Sequence, residues 1–283
     1  MRNQFLKGLL GLALSLTLAA CGGGGSSGSG SDSGDSGGTT TSSWTPTVAD
    51  SWTIQLTGTL NTSYDVKVYD VDLFDTPQAT INALHTAGRV VVCYFSAGSA
   101  ENWRDDYSNF TASDKGNGLD GWAGEYWLDT RSDNVRSIMV TRMKLAQSKG
   151  CDAVDPDNVD GYTNTTGFLF TASDQLDYNT YLAQQAHALG LKVGLKNDID
   201  QLSSLASTFD FAINEQCNVY NECSGYSAFT SLNKPVFNIE YDSAYQNNTS
   251  GARDALCTAS KAADIRTLVL GLNLDDSYHF SCD

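Results

Sequence analysis

Short apolar runs and helical patterns alternate along most of this chain. The apolar runs are rich in Val, Ile, Leu and aromatic residues and have the length of buried strands. They cover residues 53–56, 66–71, 90–95, 153–155, 192–195, 209–213, 236–239 and 267–270. Segments with helical spacing lie between several of them, at residues 77–86, 132–148, 178–189, 201–206 and 251–263. This order of strands and helices predicts an α/β fold.

Gly88, Gly150 and Gly190 support these boundaries, since each separates a helical segment from the apolar run that follows it. Glycine is common at this point because it adopts the left-handed conformation that ends a helix. Eight strands joined in this way predict a closed (β/α)8 TIM-type barrel, with an open doubly wound sheet as the alternative. No glycine-rich phosphate loop follows the first predicted strand, which argues against a nucleotide-binding sheet.

Polar side chains follow the predicted strands at their carboxyl ends with unusual regularity. They are Asp70, Asp72, Ser96, Asp155, Asp157, Lys196, Asn214, Glu215, Glu240, Tyr241, Asn273 and Asp275, with Tyr94 inside the third run. In a barrel these strand ends converge on one face, where active sites are built. The sequence therefore predicts a functional site on that face, formed by side chains that are far apart in the chain.

The densest group of carboxylates is at residues 155–160, with the sequence DPDNVD. Like charges this close together oppose compaction unless a ligand or a reaction uses them, although Asp and Asn also form plain turns. The run does not match an EF-hand calcium loop, because it lacks the glycine and the distal Glu. We expect no metal site and no other cofactor.

A face rich in carboxylates, without a serine or cysteine nucleophile beside a histidine, argues against acyl transfer. It fits glycoside hydrolysis, which uses one carboxylic acid and one carboxylate at the scissile bond. Asp157 and Glu215 are the favoured pair, because they follow the fourth and sixth predicted strands. Trp122, Trp127 and Tyr241 are candidates for stacking on sugar rings, and packing is the other interpretation for each.

Three motifs at strand ends resemble glycoside hydrolase family 114, the endo-α-1,4-polygalactosaminidases. The motifs are CYFSAGS at residues 93–99, GCDAVDPDNVD at 150–160 and INEQC at 213–217. The resemblance extends over residues 44–283. It implies a (β/α)8 barrel that cleaves internal α-1,4 bonds in an exopolysaccharide that contains galactosamine.

The catalytic Asp and Glu of that family map to Asp157 and Glu215, with Asp155 as the competing choice for the first. Analogy with other α-glycosidase barrels makes Asp157 the nucleophile and Glu215 the general acid/base of a retaining reaction. Other carboxylates of the strand-end set, Asp70 among them, would bind substrate ammonium groups or tune Glu215. Lys196 would keep a neighbouring carboxylate ionised.

The formal net charge of −16 is compatible with such a substrate. Nucleic acid is not expected as a partner, because its phosphate backbone requires a basic surface. An acidic field favours cationic ligands. The expected partner is therefore a cationic or partly deacetylated galactosamine polysaccharide, and we expect the protein to be a monomer.

Two other functions remain open from the sequence. One is a lipid-anchored carbohydrate-binding protein without catalysis. The other is a glycosidase that acts on a different α-linked polysaccharide, since loop shape rather than the catalytic motifs determines linkage preference.

The N-terminal region predicts export and lipid attachment. Residues 1–20 combine Arg2 and Lys7 with a short apolar core, as in a signal peptide. The sequence LAAC at 18–21 resembles the lipobox of bacterial lipoproteins. This resemblance implies cleavage before Cys21 and lipidation of its thiol.

Residues 21–43 are almost wholly Gly, Ser, Thr and Asp, a composition typical of a disordered tether. The glycoside hydrolase domain is therefore expected at residues 44–283. We expect an exported bacterial lipoprotein at the outer membrane or the cell surface, in contact with the membrane through its lipid alone.

Export permits disulfides among the remaining cysteines. Two pairs are indicated by position, Cys217 with Cys223 and Cys257 with Cys282. Cys93 and Cys151 lie in apolar runs and are either free thiols in the core or a third pair.

Overall fold

The computed structural model describes residues 44–283. Most of its β-structure belongs to one curled sheet. The strands described are β1 (Trp52–Gln55), β2 (Val68–Asp72), β3 (Val90–Ser96), β4 (Ser99–Glu101), β5 (Lys115–Gly118), β6 (Glu125–Leu128), β7 (Ala153–Asp157), β8 (Lys192–Lys196), β9 (Phe211–Glu215), β10 (Val236–Glu240), β11 (Ile265–Leu270) and β12 (His279–Ser281).

The curled sheet has the order β1-β2-β3-β7-β8-β9-β10-β11-β12, and neighbours from β1 to β11 are parallel. These eight parallel strands confirm the predicted (β/α)8 TIM-type barrel. Each of the eight apolar runs in the sequence corresponds to one of them.

Six barrel strands continue beyond the apolar run that predicted them. Strand β2 ends at Asp72 and β3 at Ser96, and the other four end at Asp157, Lys196, Glu215 and Glu240. Because successive side chains of a strand point to opposite faces, the pleat fixes the direction of each terminal polar group. The charged groups thus belong to rigid strand ends rather than to loops.

Side-chain and loop contacts connect the two ends of the parallel array. Trp52 Nε1 in β1 donates to the carbonyl oxygen of Arg266 in β11 at 3.0 Å. The backbone nitrogen of Leu56 donates to the carbonyl oxygen of Leu274 at 2.9 Å. Strand β12 adds an antiparallel pairing to β11, which the sequence did not predict.

The α-helices described are α1 (Gln78–Thr86), α2 (Asp133–Lys149), α3 (Ala172–Ala188), α4 (Leu202–Leu205), α5 (Ser227–Thr230), α6 (Ser243–Gln246) and α7 (Ala252–Ala262). The five predicted helices are confirmed. Helix α3 begins earlier than expected because Thr171 and Asp174 form a capping box at its N-terminus. Gly88, Gly150 and Gly190 have the positive φ values predicted for residues that follow a helix.

A small antiparallel sheet lies between β3 and α2 in the chain. Its strand order is β4-β6-β5, and Ser99 pairs with Trp127 and Glu101 with Glu125. The sequence analysis did not predict this sheet. It is important for function because it contributes to the cavity described below.

Two apolar layers hold the barrel together. One fills its interior and includes Trp52, Val92, Phe211, Ile239 and Leu268. The other packs the outer faces of the strands against the helices, as in a two-layer α/β barrel. Burial of this apolar surface stabilises the fold by roughly 25 cal/mol per Å².

Three disulfides join the described cysteines. The pairs Cys217–Cys223 and Cys257–Cys282 are confirmed. The open question about the other two is answered by a bond between Cys93 in β3 and Cys151, which lies two residues before β7.

The predicted signal peptide at residues 1–20, the lipidated Cys21 and the tether at residues 21–43 lie outside the described residues. Within residues 44–283, no helix has both the length and the apolar character needed to cross a membrane.

Candidate active site

A cavity of about 600 Å³ opens at the carboxyl ends of the barrel strands. The barrel contributes five functional side chains to its lining: Tyr94, Asp157, Lys196, Glu215 and Tyr241. All five were predicted as site residues from their positions at or just after an apolar run. The structure therefore brings together side chains that come from five different regions of the sequence.

Asp157 is the last residue of β7, and three neighbouring groups hold its carboxylate. Tyr94 Oη donates to Oδ2 at 2.9 Å, and Asn158 Nδ2 donates to the same oxygen at 3.4 Å. Lys196 Nζ lies 3.3 Å from Oδ1. Burial and the charge of Asp157 raise the pKa of Tyr94 well above its usual range, so its hydroxyl stays a donor. These contacts suit an ionised carboxylate.

Glu215 is the last residue of β9 and is more accessible than Asp157, with 31% against 17% of the side chain exposed. Tyr241 Oη donates to Oε1 of Glu215 at 2.5 Å. Burial and the charge of Glu215 raise the pKa of Tyr241 well above its usual range, so this donor also keeps its proton. Within residues 44–283, Oε2 of Glu215 accepts no hydrogen bond, which leaves it available to a ligand.

Lys196 lies between the carboxylates and is itself only 3% exposed. Its Nζ atom is 3.3 Å from Asp157, 3.9 Å from Glu215 and 4.0 Å from Asp155. Burial opposes its charge, but Asp157, Glu215 and Asp155 outweigh that effect and raise the pKa of Lys196 well above its usual range. Since one nitrogen contacts both Asp157 and Glu215, these two carboxyl groups flank the same small space.

Asp155 and Asp70 lie deeper in the barrel and do not line the cavity. They are 0% and 1% exposed. Burial raises the pKa of both groups, and the neighbouring Asp155 raises that of Asp70 further. Without a proton on either group, none of their four oxygens has a hydrogen-bond donor among residues 44–283. A proton on Asp70 supplies that donor, and the arrangement suits support of Lys196 rather than contact with a ligand.

Two tight turns fix the backbone next to the carboxylates. The backbone nitrogen of Gly98 donates to the carbonyl oxygen of Asp157 at 3.0 Å. A Cβ atom on Gly98 would lie 1.7 Å from the carbonyl oxygen of Asn158, so this approach requires glycine. Asn197, with a φ of 49°, accepts a hydrogen bond from the backbone nitrogen of Glu215 at 3.0 Å.

A smaller depression of about 180 Å³ continues from the cavity. The two share part of their lining, Asp160, Asn164, Asn197 and Glu215. Asp157 borders the larger cavity alone, whereas Glu215 borders both. Glu215 therefore stands at the junction of two connected spaces.

Six other residues predicted as substrate-binding are not part of the cavity lining: Asp72, Ser96, Asn214, Glu240, Asn273 and Asp275. Asn214 precedes Glu215 in β9, and Glu240 ends β10 just before Tyr241, so the pleat directs both away from the larger cavity. Asn214 lines the smaller depression instead. Asn214 accepts a hydrogen bond from the backbone nitrogen of Cys217, and Glu240 accepts from Asn218 and Asn238.

The other four have structural partners. Both oxygens of Asp72 bind the guanidinium of Arg104, at 3.1 and 2.6 Å. Ser96 accepts a hydrogen bond from Asn158 Nδ2 at 2.9 Å and so orients the residue beside Asp157. Asn273 and Asp275 lie in the loop after β11, where the Asn273 carbonyl accepts from Thr57 and the Asp275 carboxylate from the backbone nitrogen of Ser277.

The small antiparallel sheet adds lining residues that do not belong to the polar set at the barrel strand ends. Glu125 and Trp127 both line the cavity, as residues two apart in β6 must point the same way. Trp127 was noted as a candidate for stacking, and Glu125 was not noticed. The alternation of Glu125, Tyr126, Trp127 and Leu128 is a possible sequence signal, but it spans only four residues.

Burial raises the pKa of Glu125 to about 7, with further contributions from Glu101 and Asp157. A hydrogen bond from Ser99 Oγ at 2.9 Å works in the opposite direction. The cavity thus contains a carboxyl group that titrates near neutral pH.

The lining is strongly acidic, with Asp120, Glu125, Asp157, Asp160 and Glu215 against Lys196 as the cation. Among the described residues, no group of three His, Cys, Asp or Glu side chains is arranged to hold a metal ion. Two carboxyl groups in different environments, one held by three donors and one open to ligand, form the arrangement needed for acid and nucleophile in glycoside hydrolysis.

Comparison with known sequences gives a family match. The sequence model of the glycoside hydrolase family GH114 matches residues 35–283. None of the curated proteins matches the chain significantly.

Comparison with solved structures gives two informative neighbours. The crystal structure of Aspergillus fumigatus Ega3 in complex with galactosamine is 44% identical in sequence and has a TM-score of 0.80. That match covers 87% of this chain and 100% of Ega3. The glycoside hydrolase domain of PelA from Pseudomonas aeruginosa is 14% identical with a TM-score of 0.64, and it covers 82% of this chain and 98% of that domain. Because the two sequences are only 14% identical, the match to PelA is evidence of a shared fold alone.

Proposed function

This chain belongs to glycoside hydrolase family GH114, and we propose that it is an endo-acting, retaining hydrolase of α-1,4 bonds in galactosamine-containing polysaccharide. The substrate class is supported by the similarity to Ega3, whose structure contains galactosamine, and by the acidic cavity. Asp157 is assigned as the nucleophile and Glu215 as the general acid/base.

The observation that carries this proposal is the contact of Lys196 with both Asp157 and Glu215 at the cavity floor. These contacts keep Asp157 Oδ1 and Glu215 Oε2 within about 7 Å of each other. That limit includes the roughly 5–5.5 Å of retaining glycosidases and the shortest separations of inverting ones, so the retaining outcome rests on the analogy with other α-glycosidase barrels. Asp155 and Asp157 are the two candidates for the nucleophile in the motif at residues 150–160. Asp157 reaches the cavity and Asp155 does not, which favours Asp157 as the attacking group.

In the first step, Glu215 transfers a proton to the glycosidic oxygen while an Asp157 oxygen attacks the anomeric carbon. The bond from that carbon to the leaving oxygen breaks, and a glycosyl ester forms on Asp157. Tyr241 holds Oε1 of Glu215, so Oε2 is the atom positioned to carry the proton. Tyr94 and Lys196 stabilise the carboxylate of Asp157 before attack and after its release.

In the second step, Glu215 as a carboxylate accepts a proton from water. The resulting hydroxide attacks the anomeric carbon, breaks the ester and restores Asp157. Two inversions at one carbon leave the product in the anomeric configuration of the substrate.

Internal cleavage is supported by the position of Glu215 between the larger cavity and the smaller depression. The general acid of a glycosidase lies beside the bond that breaks. Sugars on the two sides of that bond would then occupy the two spaces. A site that is open on both sides of the acid accommodates a polymer, whereas a closed pocket accommodates only a chain end.

Product analysis after incubation with galactosamine oligomers tests this function. We expect wild type to release shorter oligomers, with the new reducing end first in the α configuration by NMR. Asp157→Asn and Glu215→Gln should each reduce turnover at least roughly 1,000-fold while the protein still folds. Asp105→Asn, a surface change of the same type, serves as the control. Substrate that stays intact with wild-type protein, while saturable binding is observed, would instead indicate a binding protein without catalysis.

We also propose that the mature protein is a monomeric bacterial lipoprotein, exported and held at the outer membrane or cell surface through Cys21. The signal-like residues 1–20 and the LAAC sequence at 18–21 support this location. Wild-type protein expressed in bacteria should enter the detergent phase on phase separation, and Cys21→Ser should stay in the aqueous phase. Equal partitioning of the two proteins would contradict lipid attachment.

A further inference from the structure

Glu125 is an acidic side chain of the cavity that the catalytic mechanism does not use. It lies in β6 of the small antiparallel sheet and is 7% exposed. Its Oε2 atom accepts a hydrogen bond from Ser99 Oγ at 2.9 Å. The other oxygen, Oε1, accepts none from any residue in the range 44–283, and Glu125 lines the cavity. One carboxyl oxygen is thus fixed by the protein and the other is left to the cavity.

The surroundings of Glu125 provide little counter-charge. Its partner across the strands is another carboxylate, Glu101. Arg104 acts on Glu125 electrostatically, but its guanidinium binds Glu101, Asp72 and Asp75. Within the described part of the chain, no ion pair includes Glu125. A buried carboxylate with so little counter-charge is unfavourable, so a cationic ligand in the cavity would stabilise its ionised form.

Glu125 lies on the side of the cavity that holds Asp157. Both Asp157 and Glu101 act electrostatically on Glu125. Trp127 projects from the same face of β6 and also lines the cavity, so a carboxylate and an indole ring are neighbours. An amino sugar can contact both groups. Its ring stacks on the indole of Trp127, and its amino group points to the carboxylate of Glu125.

We propose that Glu125 is a specificity-determining residue that binds the protonated 2-amino group of the sugar beside Asp157. This inference rests on the proposed function. It goes further, because it names the residue that distinguishes a free amine from an N-acetyl group. An ammonium group donates to Oε1 and supplies the missing positive charge. An N-acetylated sugar brings no charge and leaves the carboxylate unpaired. The protein therefore binds this sugar more weakly than the free amine.

Binding measured without turnover tests this assignment. Glu215→Gln protein would be titrated at low temperature with galactosamine oligomers and with the same oligomers after N-acetylation. Glu125→Gln would then be added to this background, because glutamine keeps the shape and the acceptor for Ser99 but loses the charge. Asp105→Asn is the control, since it removes one negative charge from an exposed position that does not line the cavity.

We expect Glu125→Gln to weaken binding of the free-amine oligomer roughly 10- to 100-fold, as for loss of a charged hydrogen bond. Binding of the N-acetylated oligomer should change less than about 3-fold, and Asp105→Asn should change the affinity for either oligomer by no more than about 3-fold. The ratio of the two affinities is independent of the fraction of protein that is folded, so a loss of stability does not disguise the result.

An equal change for both oligomers in Glu125→Gln, or no change for either, overturns the assignment. The same is true if Asp105→Asn reproduces the selective loss, because a general acidic field would then be sufficient. The proposed function fails on a different result, namely wild-type protein that does not shorten the oligomers.

Discussion

The phenolic hydroxyl of Tyr241 donates a hydrogen bond of 2.5 Å to Oε1 of Glu215. Tyr241 directly follows β10, and Glu215 ends the neighbouring strand β9, so the bond joins two rigid strand ends. It occupies one carboxyl oxygen and directs the other to the cavity. A tyrosine that fixes the rotamer of the acid/base is therefore part of this site.

Tyr241→Phe should lower kcat roughly 10- to 100-fold with a small change in KM, because the loss affects orientation of Glu215 rather than ligand binding. Steady-state kinetics on galactosamine oligomers measure both constants. Tyr181→Phe is the control, since Tyr181 lies in α3 and lines neither the cavity nor the smaller depression. A large rise in KM with unchanged kcat would show that Tyr241 acts through substrate contact instead.

Lys196→Met should destabilise the fold by about 3 kcal/mol or more. The substitution preserves much of the side-chain volume but leaves Asp155, Asp157 and Glu215 without their shared cation. Denaturant unfolding measures the effect. Lys144→Met on the exposed face of α2 should cost less than about 1 kcal/mol. A similar small loss in Lys196→Met would mean that the carboxylates do not depend on this ammonium group.

The barrel strands could be predicted because each is a continuous apolar run, as expected for strands buried on both faces. The small antiparallel sheet could not. Strand β5 has the sequence KGNG and β6 is four residues long, so neither gives a periodic signal. Strand β12, with only three residues, was missed for the same reason.

Prediction of the site was limited by the direction of side chains. Asp157, Glu215 and Tyr241 follow apolar runs and line the cavity. Asn214 and Glu240 follow the same runs, yet neither lines this cavity, since Asn214 lines the smaller depression and Glu240 is buried. A sequence pattern places residues at a strand end. The face to which each side chain points is known only once the pairing of the last residues of the strand is known.

Gly98→Ala should lower both stability and activity. The added Cβ would lie 1.7 Å from the carbonyl oxygen of Asn158 and must displace the turn that binds the Asp157 backbone. We expect a loss of about 1–3 kcal/mol in the free energy of unfolding and a fall in kcat. Gly118→Ala is a steric control for stability, because its Cβ would meet only the carbonyl oxygen of Glu125, at 3.6 Å. Equal stability of the two variants would contradict this role of Gly98.

Glu125 should make the protein less stable at alkaline than at acidic pH. Burial raises the pKa of Glu125 to about 7 from its usual 4.5. At low pH the carboxyl is protonated in both folded and unfolded states, so the stability is complete. Between these two pKa values the unfolded chain has lost a proton that the folded protein retains, so stability falls as pH rises. Above about pH 7 the folded protein also loses the proton, and the decrease stops at about 3–4 kcal/mol.

Glu125→Gln removes this titration and should therefore gain stability over wild type at about pH 8 relative to about pH 4. Denaturant unfolding of both proteins at the two pH values measures the difference. Asp155 and Asp198 also have raised pKa values, but they are present in both proteins and cancel in the comparison. Asp120→Asn should show no such gain because Asp120 is exposed. If the stability of Glu125→Gln depends on pH as that of wild type does, burial of ionised Glu125 does not destabilise the folded protein. The argument for a cationic ligand at this position would then fail.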